Sequence, residues 1–449
     1  MDIKASCDCV WKVNLHDVNT YNVTHTCPTH QKVQHTHNAN KVKMEFVPDR
    51  KLTVVEGDII DITDFLETHP GGSIINACIG IDSTVMFATH HPFALGKCRE
   101  LLSGMKVGRV AEGEYIKRSK FYDTLTNTLS NEPMYRKGDS RRIRLKAFTM
   151  IALMCLLIPL HSSGYVPATV LLSFVYYMFA AQVMHEAGHE SGDHPVFNQV
   201  MKVVSSFAGV GGHPRWVYKH LRHHAVTNDK GDPELNIHPI LRLRSDFPKW
   251  WLHKYMHYYA VLIYSVLHID NFIENLLPQP THVKGIPIHT NTRVEKFIAY
   301  TAASAFAFVH LCLPFIFGGG MRAIVMELVL TCPASLIVTL MFQVSHVSTH
   351  VEKTSGIGTD LNTTTDWAIN QILNSCNYSM NNRFITELAG GLNYQIEHHI
   401  FPTITHNALP RVSKALQQLC LDEHVSYHAF PTLVDAIRDH FSLLRSRGV

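Results

Sequence analysis

The segment GGLNYQIEHHIFP, residues 390–402, carries a glutamine followed by two adjacent histidines. Two histidine groups precede it in the chain, HEAGH at residues 185–189 and KHLRHH at residues 219–224, and one more histidine follows a long apolar segment. The residues concerned are His185, His189, His220, His223, His224, His346, Gln395, His398 and His399. Eight imidazoles are too many for one tetrahedral zinc ion but enough for two irons. The pattern therefore predicts a di-iron centre.

Four apolar segments surround these histidines and approach the ~20 residues that a spanning helix needs. They are AFTMIALMCLLIPL (147–160), ATVLLSFVYYMFAAQVM (168–184), FIAYTAASAFAFVHLCLPFIF (297–317) and AIVMELVLTCPASLIVTLMFQV (323–344). Short breaks join the first to the second and the third to the fourth. We therefore expect an α-helical membrane domain with four transmembrane helices in two hairpins and a histidine-rich cap.

Basic residues determine the expected orientation. They precede the first and third spans at Arg141, Arg142, Arg144, Lys146, Arg293 and Lys296. Because positive clusters stay in the cytosol, both termini and all histidine groups are predicted to be cytosolic. The segment Trp250–Ile269 is apolar but interrupted by histidines and rich in Trp and Tyr, and we expect it to lie in the membrane interface without crossing it.

The composition supports a membrane protein with soluble parts. Of 449 residues, 46% are hydrophobic and only 17% are charged, which is too apolar for an ordinary soluble chain. The formal net charge of +3 gives no concentrated basic face, so no nucleic-acid partner is expected. The ten cysteines lack paired spacing and are expected to be reduced thiols.

The N-terminal part contains a second motif, VVEGDIIDITDFLETHPGG at residues 54–72. It alternates like a half-buried strand, becomes helical, and ends at His69 in a His-Pro-Gly-Gly turn, with His91 22 residues later. Two axial histidines on one haem iron favour electron transfer. The segment from Lys43 to Glu112 resembles the cytochrome b5 family, which implies an α+β domain with haem b held by His69 and His91. The adjacent His90 is an alternative to His91.

The three histidine motifs HxxxH, HxxHH and QxxHH, placed between two hairpins behind this domain, resemble the front-end fatty acid desaturases of the membrane fatty acid desaturase family. The resemblance covers Lys43 to the C-terminus. It implies two non-haem irons, O2 as co-substrate, and electrons from NADH through a cytochrome b5 reductase, in the endoplasmic reticulum membrane. It also implies a cis double bond inserted between an existing double bond and the carboxyl end of a polyunsaturated fatty-acyl chain carried on CoA or a phospholipid. Double-bond position and chain length are not readable from the sequence.

Two other functions share part of the pattern. A sphingolipid long-chain-base desaturase or an acyl hydroxylase would use the same histidine motifs. HEAGH also satisfies the HExxH motif of zinc proteases, in which the glutamate is the general base.

His350 lies one helical turn beyond His346 and is an alternative ligand. Carboxylates that could orient the imidazoles from behind are Glu190, Asp193 and Glu397.

The expected domain order follows from these motifs. Residues 1–42 are an unassigned tail with scattered cysteines and histidines that lack the spacing of a zinc site, and we expect a disordered tail or an insertion there. Residues 43–112 form the haem domain, residues 113–143 a flexible linker, and residues 144–449 the membrane desaturase domain.

Overall fold

The computed structural model describes residues 10–17, 20–26, 50–130, 140–191, 194–207, 215–229, 231–235, 237–276, 282–283, 286–287, 293–354 and 366–449. Its N-terminal part contains strands β1 (Val10–Asp17), β2 (Thr20–Thr26), β3 (Leu52–Val55), β4 (Asp58–Asp61) and β5 (Lys106–Val110), and helices α1 (Thr84–His90) and α2 (Leu95–Ser103). A 3-10 helix, Gly72–Cys78, follows the His-Pro-Gly-Gly turn. This confirms an α+β N-terminal domain.

The five strands form one sheet in the order β2-β1-β5-β4-β3. Within it, β3, β4 and β5 pair antiparallel, whereas β1 runs parallel to β5, with Val10 opposite Arg109. The expectation of a disordered tail is therefore wrong for β1 and β2, whose sequences VWKVNLHD and TYNVTHT are rich in the β-branched and aromatic residues that favour strands. Of the tail cysteines and histidines, His16 and His25 lie in these strands, and the others fall outside the described residues.

Helix α3 (Lys120–Ser130) follows the haem domain. Its apolar residues Phe121, Tyr122, Leu125 and Leu129 recur at helical spacing and are buried. The Tyr122 ring packs against Trp367, with 4.9 Å between the ring centroids. The prediction of a flexible stretch between residues 113 and 143 is therefore wrong for this helix, because a periodic apolar face is stabilised by packing against another surface.

The membrane domain continues in chain order with helices α4 (Ser140–Ser162), α5 (Val166–Met178), α6 (His185–Gly188), α7 (Pro195–Phe207), α8 (Arg215–Ala225), α9 (Met256–Leu276), α10 (Arg293–Ala307), α11 (Leu313–Gly318), α12 (Gly320–His346) and α13 (Thr349–Thr354). Two π-helical turns, Phe179–Met184 and Phe308–Cys312, join α5 to α6 and α10 to α11. A 3-10 helix, Trp251–Tyr255, precedes α9, and the short strands β6 (His282–Val283) and β7 (Ile286–Pro287) pair with each other.

The C-terminal cap contains α14 (Trp367–Leu373), β8 (Asn377–Tyr378), α15 (Arg383–Leu388), α16 (Gln395–Ile400), α17 (Leu409–Asp422), β9 (Ala429–Phe430) and α18 (Leu433–Gly448). A 3-10 turn, Leu392–Tyr394, leads into α16. One apolar core joins this cap to the haem domain, since it includes Phe87, Tyr122, Ile396 and Phe401. The cap therefore lies against the haem domain on one side and the ends of the membrane helices on the other.

Four helices in the described part of the chain are long and apolar enough to cross a membrane: Arg141–Ser162, Val166–Gly188, Tyr300–Gly318 and Gly320–Val351. This confirms four spans in two hairpins. Helix α9 is not among them; it packs beside α12, where the Ser335 hydroxyl donates to the Tyr264 carbonyl at 2.6 Å. Trp251, in the 3-10 helix before α9, is 76% exposed, and Tyr258, in the first turn of α9, is 73% exposed. Their position at the membrane interface, like the cytosolic side of the cap, stays a prediction.

Candidate metal centre

Two groups of buried histidines lie at the cap end of the four spans. Nitrogen atoms of His185, His189, His220 and His398 all lie within 4.8 Å of one another, and the same is true of His223, His346 and His399. These residues come from α6, its C-terminal end, α8, α12 and α16, which are far apart in sequence. The fold therefore brings together histidines from all the motifs identified in the sequence.

The eighth histidine, His224, lies between the two groups. Its Nε2 atom is 3.1 Å from Nε2 of His220 and 3.1 Å from Nε2 of His398, and its ring stacks on His399 with centroids 4.2 Å apart. Two nitrogens bonded to one metal at about 2.0–2.1 Å, at angles between square and tetrahedral, are roughly 3 Å apart. The observed spacing thus fits imidazoles that share metal ions.

The first histidine pair is placed by one helical turn. The amide of His189 donates to the carbonyl of His185 at 3.2 Å, so the two rings lie on one face, with centroids 4.8 Å apart. A π-helical turn precedes this pair, a feature common at functional sites. Gly188 between them is required sterically, because a Cβ there would lie 2.2 Å from the Trp216 ring.

The glycines of GGLNYQIEHH bring the third motif against the first. Gly390 has φ +60°, and a Cβ there would lie 2.2 Å from the carbonyl oxygen of Ala181, in the π-helical turn before HEAGH. Gly391 has φ +83°, and its Cβ would lie 2.3 Å from His406. Only glycine combines this backbone conformation with so close an approach. The two glycines therefore let the segment before α16 pack directly on the first motif.

Two carboxylates in the loop after α8 orient histidines of the second motif. Nδ1 of His223 lies 2.8 Å from Oδ2 of Asp232, and Nδ1 of His220 lies 3.0 Å from Oε1 of Glu234. Since Nδ1 is engaged in each ring, Nε2 is left to bind metal. Neither residue was predicted from the sequence. The available signal was the pair of acidic residues in Asp232-Pro233-Glu234, shortly after KHLRHH.

Polar groups of the cap orient the remaining rings. Oε1 of Gln371 lies 3.0 Å from Nδ1 of His399, and the carbonyl of Asn374 lies 3.3 Å from Nδ1 of His346. The side-chain amide of Gln395 lies 2.9 Å from Nε2 of His346, so this glutamine faces the second group. Its other amide atom has no hydrogen-bond partner in the described chain.

The orienting carboxylates proposed from the sequence are not the ones found. Glu190 contacts Lys202 and accepts from Asn198 at 3.1 Å. Glu397 accepts from Asn377 at 2.8 Å and from Tyr427 at 2.7 Å. These two carboxylates hold neighbouring segments in place, and their contacts do not include an imidazole of either group. Asp193 lies outside the described residues.

Charge around the centre suits a bound cation. Burial lowers the pKa of His189, His224 and His398 well below the usual value, and neighbouring imidazoles lower it further, so these rings are neutral and able to coordinate. At His223 burial also acts to lower the pKa, but the carboxylates of Asp232 and Glu234 outweigh it and raise the pKa to about 9. An environment that stabilises a proton there also stabilises a metal cation.

The haem-domain histidines fit a second site. The ring centroids of His69 and His91 are 6.2 Å apart, and two Nε2 atoms bonded at about 2 Å to one iron require roughly this separation. Nδ1 of His91 lies 2.8 Å from the carbonyl of Phe87, and Nδ1 of His69 lies 3.4 Å from that of Gly72. Each carbonyl can only accept, so Nδ1 carries the hydrogen and Nε2 can bind iron. His90 instead points its ring towards His189.

Comparison with known families agrees with this geometry. Residues 161–431, more than half of the chain, match the family model described as fatty acid desaturase. The chain belongs to the fatty acid desaturase family. Residues 29–111 match the cytochrome b5-like haem/steroid binding domain, a match that begins before residue 43, where we expected that domain to start. The identification as a desaturase with a fused haem domain is confirmed.

Several curated relatives span nearly the whole chain. An acyl-lipid (8-3)-desaturase B of Dictyostelium discoideum is 27% identical over 88% of this chain and 90% of its own length. An acyl-lipid (8-3)-desaturase of Physcomitrium patens is 26% identical, covering 88% of both chains. A Delta(5) fatty acid desaturase A of Dictyostelium discoideum is 25% identical over 88% of this chain and 90% of its own. No solved structure matches this desaturase.

The zinc-protease alternative is not favoured. In that mechanism the glutamate of HExxH activates a metal-bound water. Here Oε1 of Glu186 accepts a hydrogen bond from the backbone amide of His406 at 2.8 Å and also contacts Nδ1 of that residue. The carboxylate of Glu186 thus joins the first motif to the loop after α16.

Proposed function

We propose that this desaturase inserts a cis double bond on the carboxyl side of an existing double bond, at a di-iron centre bound by the eight histidines described above. The observation that carries the proposal is the meeting of His185, His220, His346 and His398, from four separate helices, in two adjacent nitrogen-lined groups. The relatives' names support the reaction, because two specify an acyl-lipid (8-3)-desaturase and one a Delta(5) fatty acid desaturase. We infer that the substrate is a lipid-bound chain with a double bond at carbon 8 and that the product gains one at carbon 5.

The residues present fit two irons better than one zinc. Buried imidazoles at about metal-ligand spacing supply the donors, and Gln395 adds a polar amide beside His346. Iron bound there supplies the oxygen chemistry that removes hydrogens from an unactivated methylene, which side-chain acids and bases cannot do. The protein holds the ligands, through Asp232 and Glu234, and keeps water out of a site whose histidines are at most 7% exposed.

We further propose that electrons enter through haem b bound by His69 and His91. The electrons come from NADH through a cytochrome b5 reductase in the endoplasmic reticulum membrane, with both termini and the cap in the cytosol. The supporting observation is the apolar core that joins the haem domain to the cap, in which Phe93 stacks on Phe401 with ring planes 12° apart. Such packing keeps the haem domain beside the histidine groups throughout turnover.

The decisive test is expression of the full chain in yeast supplied with fatty acids of defined unsaturation. A chain whose first double bond is at carbon 8 should gain a double bond at carbon 5, as the name (8-3) specifies. Supplying linoleate tests for another reaction named among the relatives, the 6-desaturation of a linoleoyl lipid. A product made only from long-chain bases, or only hydroxylated, would contradict the proposal.

Metal analysis of the same preparation tests the centre itself. We expect about two non-haem irons per chain in addition to haem, and near-complete loss of both iron and product in His398→Ala. Zinc near one per chain, or normal desaturation with normal iron in His398→Ala, would show that the third motif does not bind the metal.

A further inference from the structure

Helix α1, which ends next to the haem ligand His91, is held between the two histidine-bearing parts of the membrane domain. On one side Met86 packs in an apolar cluster with Val217 and Leu221 of α8, the helix that carries the second motif. On the other side the carbonyl of Thr89 accepts a hydrogen bond from the hydroxyl of Thr403, at 3.4 Å, just after the third motif. The end of α1 is therefore fixed relative to the metal centre.

The ring of His90 faces the first histidine motif, one residue before the haem ligand His91. Its centroid is 6.5 Å from the centroid of His189, in the first motif, with the ring planes tilted by 41°. Its Nδ1 atom lies 2.9 Å from the carbonyl of Met86. Because a carbonyl only accepts, Nδ1 carries the hydrogen and Nε2 has a free lone pair. This Nε2 atom is buried and has no hydrogen-bond partner in the part of the chain that the structure describes.

A buried nitrogen without a partner is costly for a residue that only fills space. An apolar side chain of similar size would pack at this position without that cost. The position is also specific, since His90 is the last residue of α1, directly precedes the haem ligand His91 and faces the metal ligand His189. His90 is thus joined to the haem ligand His91 by a peptide bond, and its ring lies beside the ring of the metal ligand His189.

We propose, as an extension of the proposed function, that His90 is a positioning residue for electron transfer from the haem to the di-iron centre. Its imidazole fills the gap between His91 and His189 and sets the distance that the electron crosses. Each transfer oxidises ferrous haem to ferric haem and reduces one ferric non-haem iron to ferrous iron. No bond is broken and no proton is required. The haem is reduced again by the pyridine-nucleotide-dependent reductase.

The test uses the full chain with haem and iron bound and compares His90→Ala with His90→Phe. Phenylalanine keeps the aromatic volume and removes the nitrogens, whereas alanine removes both. Lys97→Ala is the matched control, because it changes an exposed side chain on α2 and leaves both His90 and the contact of Phe93 with Phe401 intact. For each variant the haem is reduced without oxygen, and its reoxidation by the ferric non-haem irons is followed by absorbance in a single turnover. Haem spectrum, haem midpoint potential and non-haem iron content are measured on the same samples.

We expect His90→Ala to slow haem reoxidation by roughly tenfold or more, with spectrum, potential and iron content unchanged. His90→Phe should be slowed less, and Lys97→Ala should react like the wild type. A wild-type rate in His90→Ala would overturn the proposal, as would loss of the haem spectrum in His90→Ala, since His90 would then be the axial ligand. If the wild type holds no non-haem iron, or its haem is not reoxidised by that iron, the proposed function itself fails.

Discussion

Asp232 accepts a hydrogen bond from the imidazole of His223, with 2.8 Å between Oδ2 and Nδ1, and both side chains are buried. The carboxylate engages Nδ1 of the ring, so Nε2 is left to bind metal in the group that His223 forms with His346 and His399. It also places a negative charge beside the second histidine group, where a metal cation would bind. The sequence alone did not indicate that these two residues form a hydrogen bond.

Asp232→Asn should lower desaturation and non-haem iron affinity by about 10–100-fold, because orienting partners of metal ligands typically contribute that much. His223→Ala should abolish both. The measurement is iron per chain together with the unsaturated product. Asp422→Asn, on an exposed carboxylate, is the matched control and should behave like the wild type. Normal iron and product in Asp232→Asn would show that the carboxylate has no role in holding the metal.

His346, the last residue of α12, and His350, in α13, should respond differently to replacement. Nε2 of His346 lies 3.1 Å from Nε2 of His399, whereas the ring of His350 stacks on His428 with centroids 3.8 Å apart and belongs to neither nitrogen group. We expect His346→Ala to reduce activity below detection with loss of iron, because a missing ligand leaves the metal under-coordinated. His350→Ala should retain both. Loss of activity and iron in His350→Ala, with both retained in His346→Ala, would make His350 the metal ligand in place of His346.

His69→Ala and His91→Ala should each remove the bis-histidine haem spectrum. The 6.2 Å separation of these two rings fits one iron between them, and each supplies one axial bond. The non-haem iron content should stay normal, because these residues take no part in the two nitrogen groups. The check is an absorbance spectrum of the reduced protein alongside iron analysis. A normal spectrum in His91→Ala would contradict the ligand assignment.

Gly390→Ala should destabilise the protein by about 1–3 kcal/mol or more, because its Cβ would overlap the carbonyl oxygen of Ala181 and the backbone has φ +60°. We also expect weaker iron binding, since Ala181 lies just before the first motif. Thermal unfolding in detergent and iron per chain measure the two effects. Gly96→Ala, where a Cβ meets nothing within 4 Å, serves as the control and should be neutral or slightly stabilising. Equal unfolding temperatures for the two variants would contradict the steric argument.

The proposed topology predicts where inserted tags will be found. The four candidate spans and the meeting of all histidine motifs require the N-terminus, the loop near residue 235 and the C-terminus to share one side. Protease added to sealed microsomes should therefore remove tags at all three positions. A tag in the break at 163–165, between the first two spans, should be protected. Protection of the tag near residue 235 would exclude a cytosolic cap.

The sequence by itself determined the features that depend on local pattern. Apolar length gave the four spans, and the spacing of the histidines in HEAGH, KHLRHH and QIEHH selected the residues of both nitrogen groups. The His-Pro-Gly-Gly turn marked His69, where a Cβ at Gly71 would lie 2.8 Å from the histidine ring. These features could be predicted because helix geometry and turn geometry are set by neighbours within a few residues.

Tertiary structure alone decided which distant residues meet. Four relationships involve positions that no local pattern connects. They are the hydrogen bond between Asp232 and His223, the place of His346 and not His350 in a nitrogen group, the packing of α3 against Trp367, and the approach of His90 to His189. Carboxylates are common on protein surfaces, so Glu190 and Glu397 were as plausible from sequence as Asp232. Only the packing of the helices fixes which carboxylate reaches a ring, because a hydrogen bond requires its atoms to lie within about 3 Å.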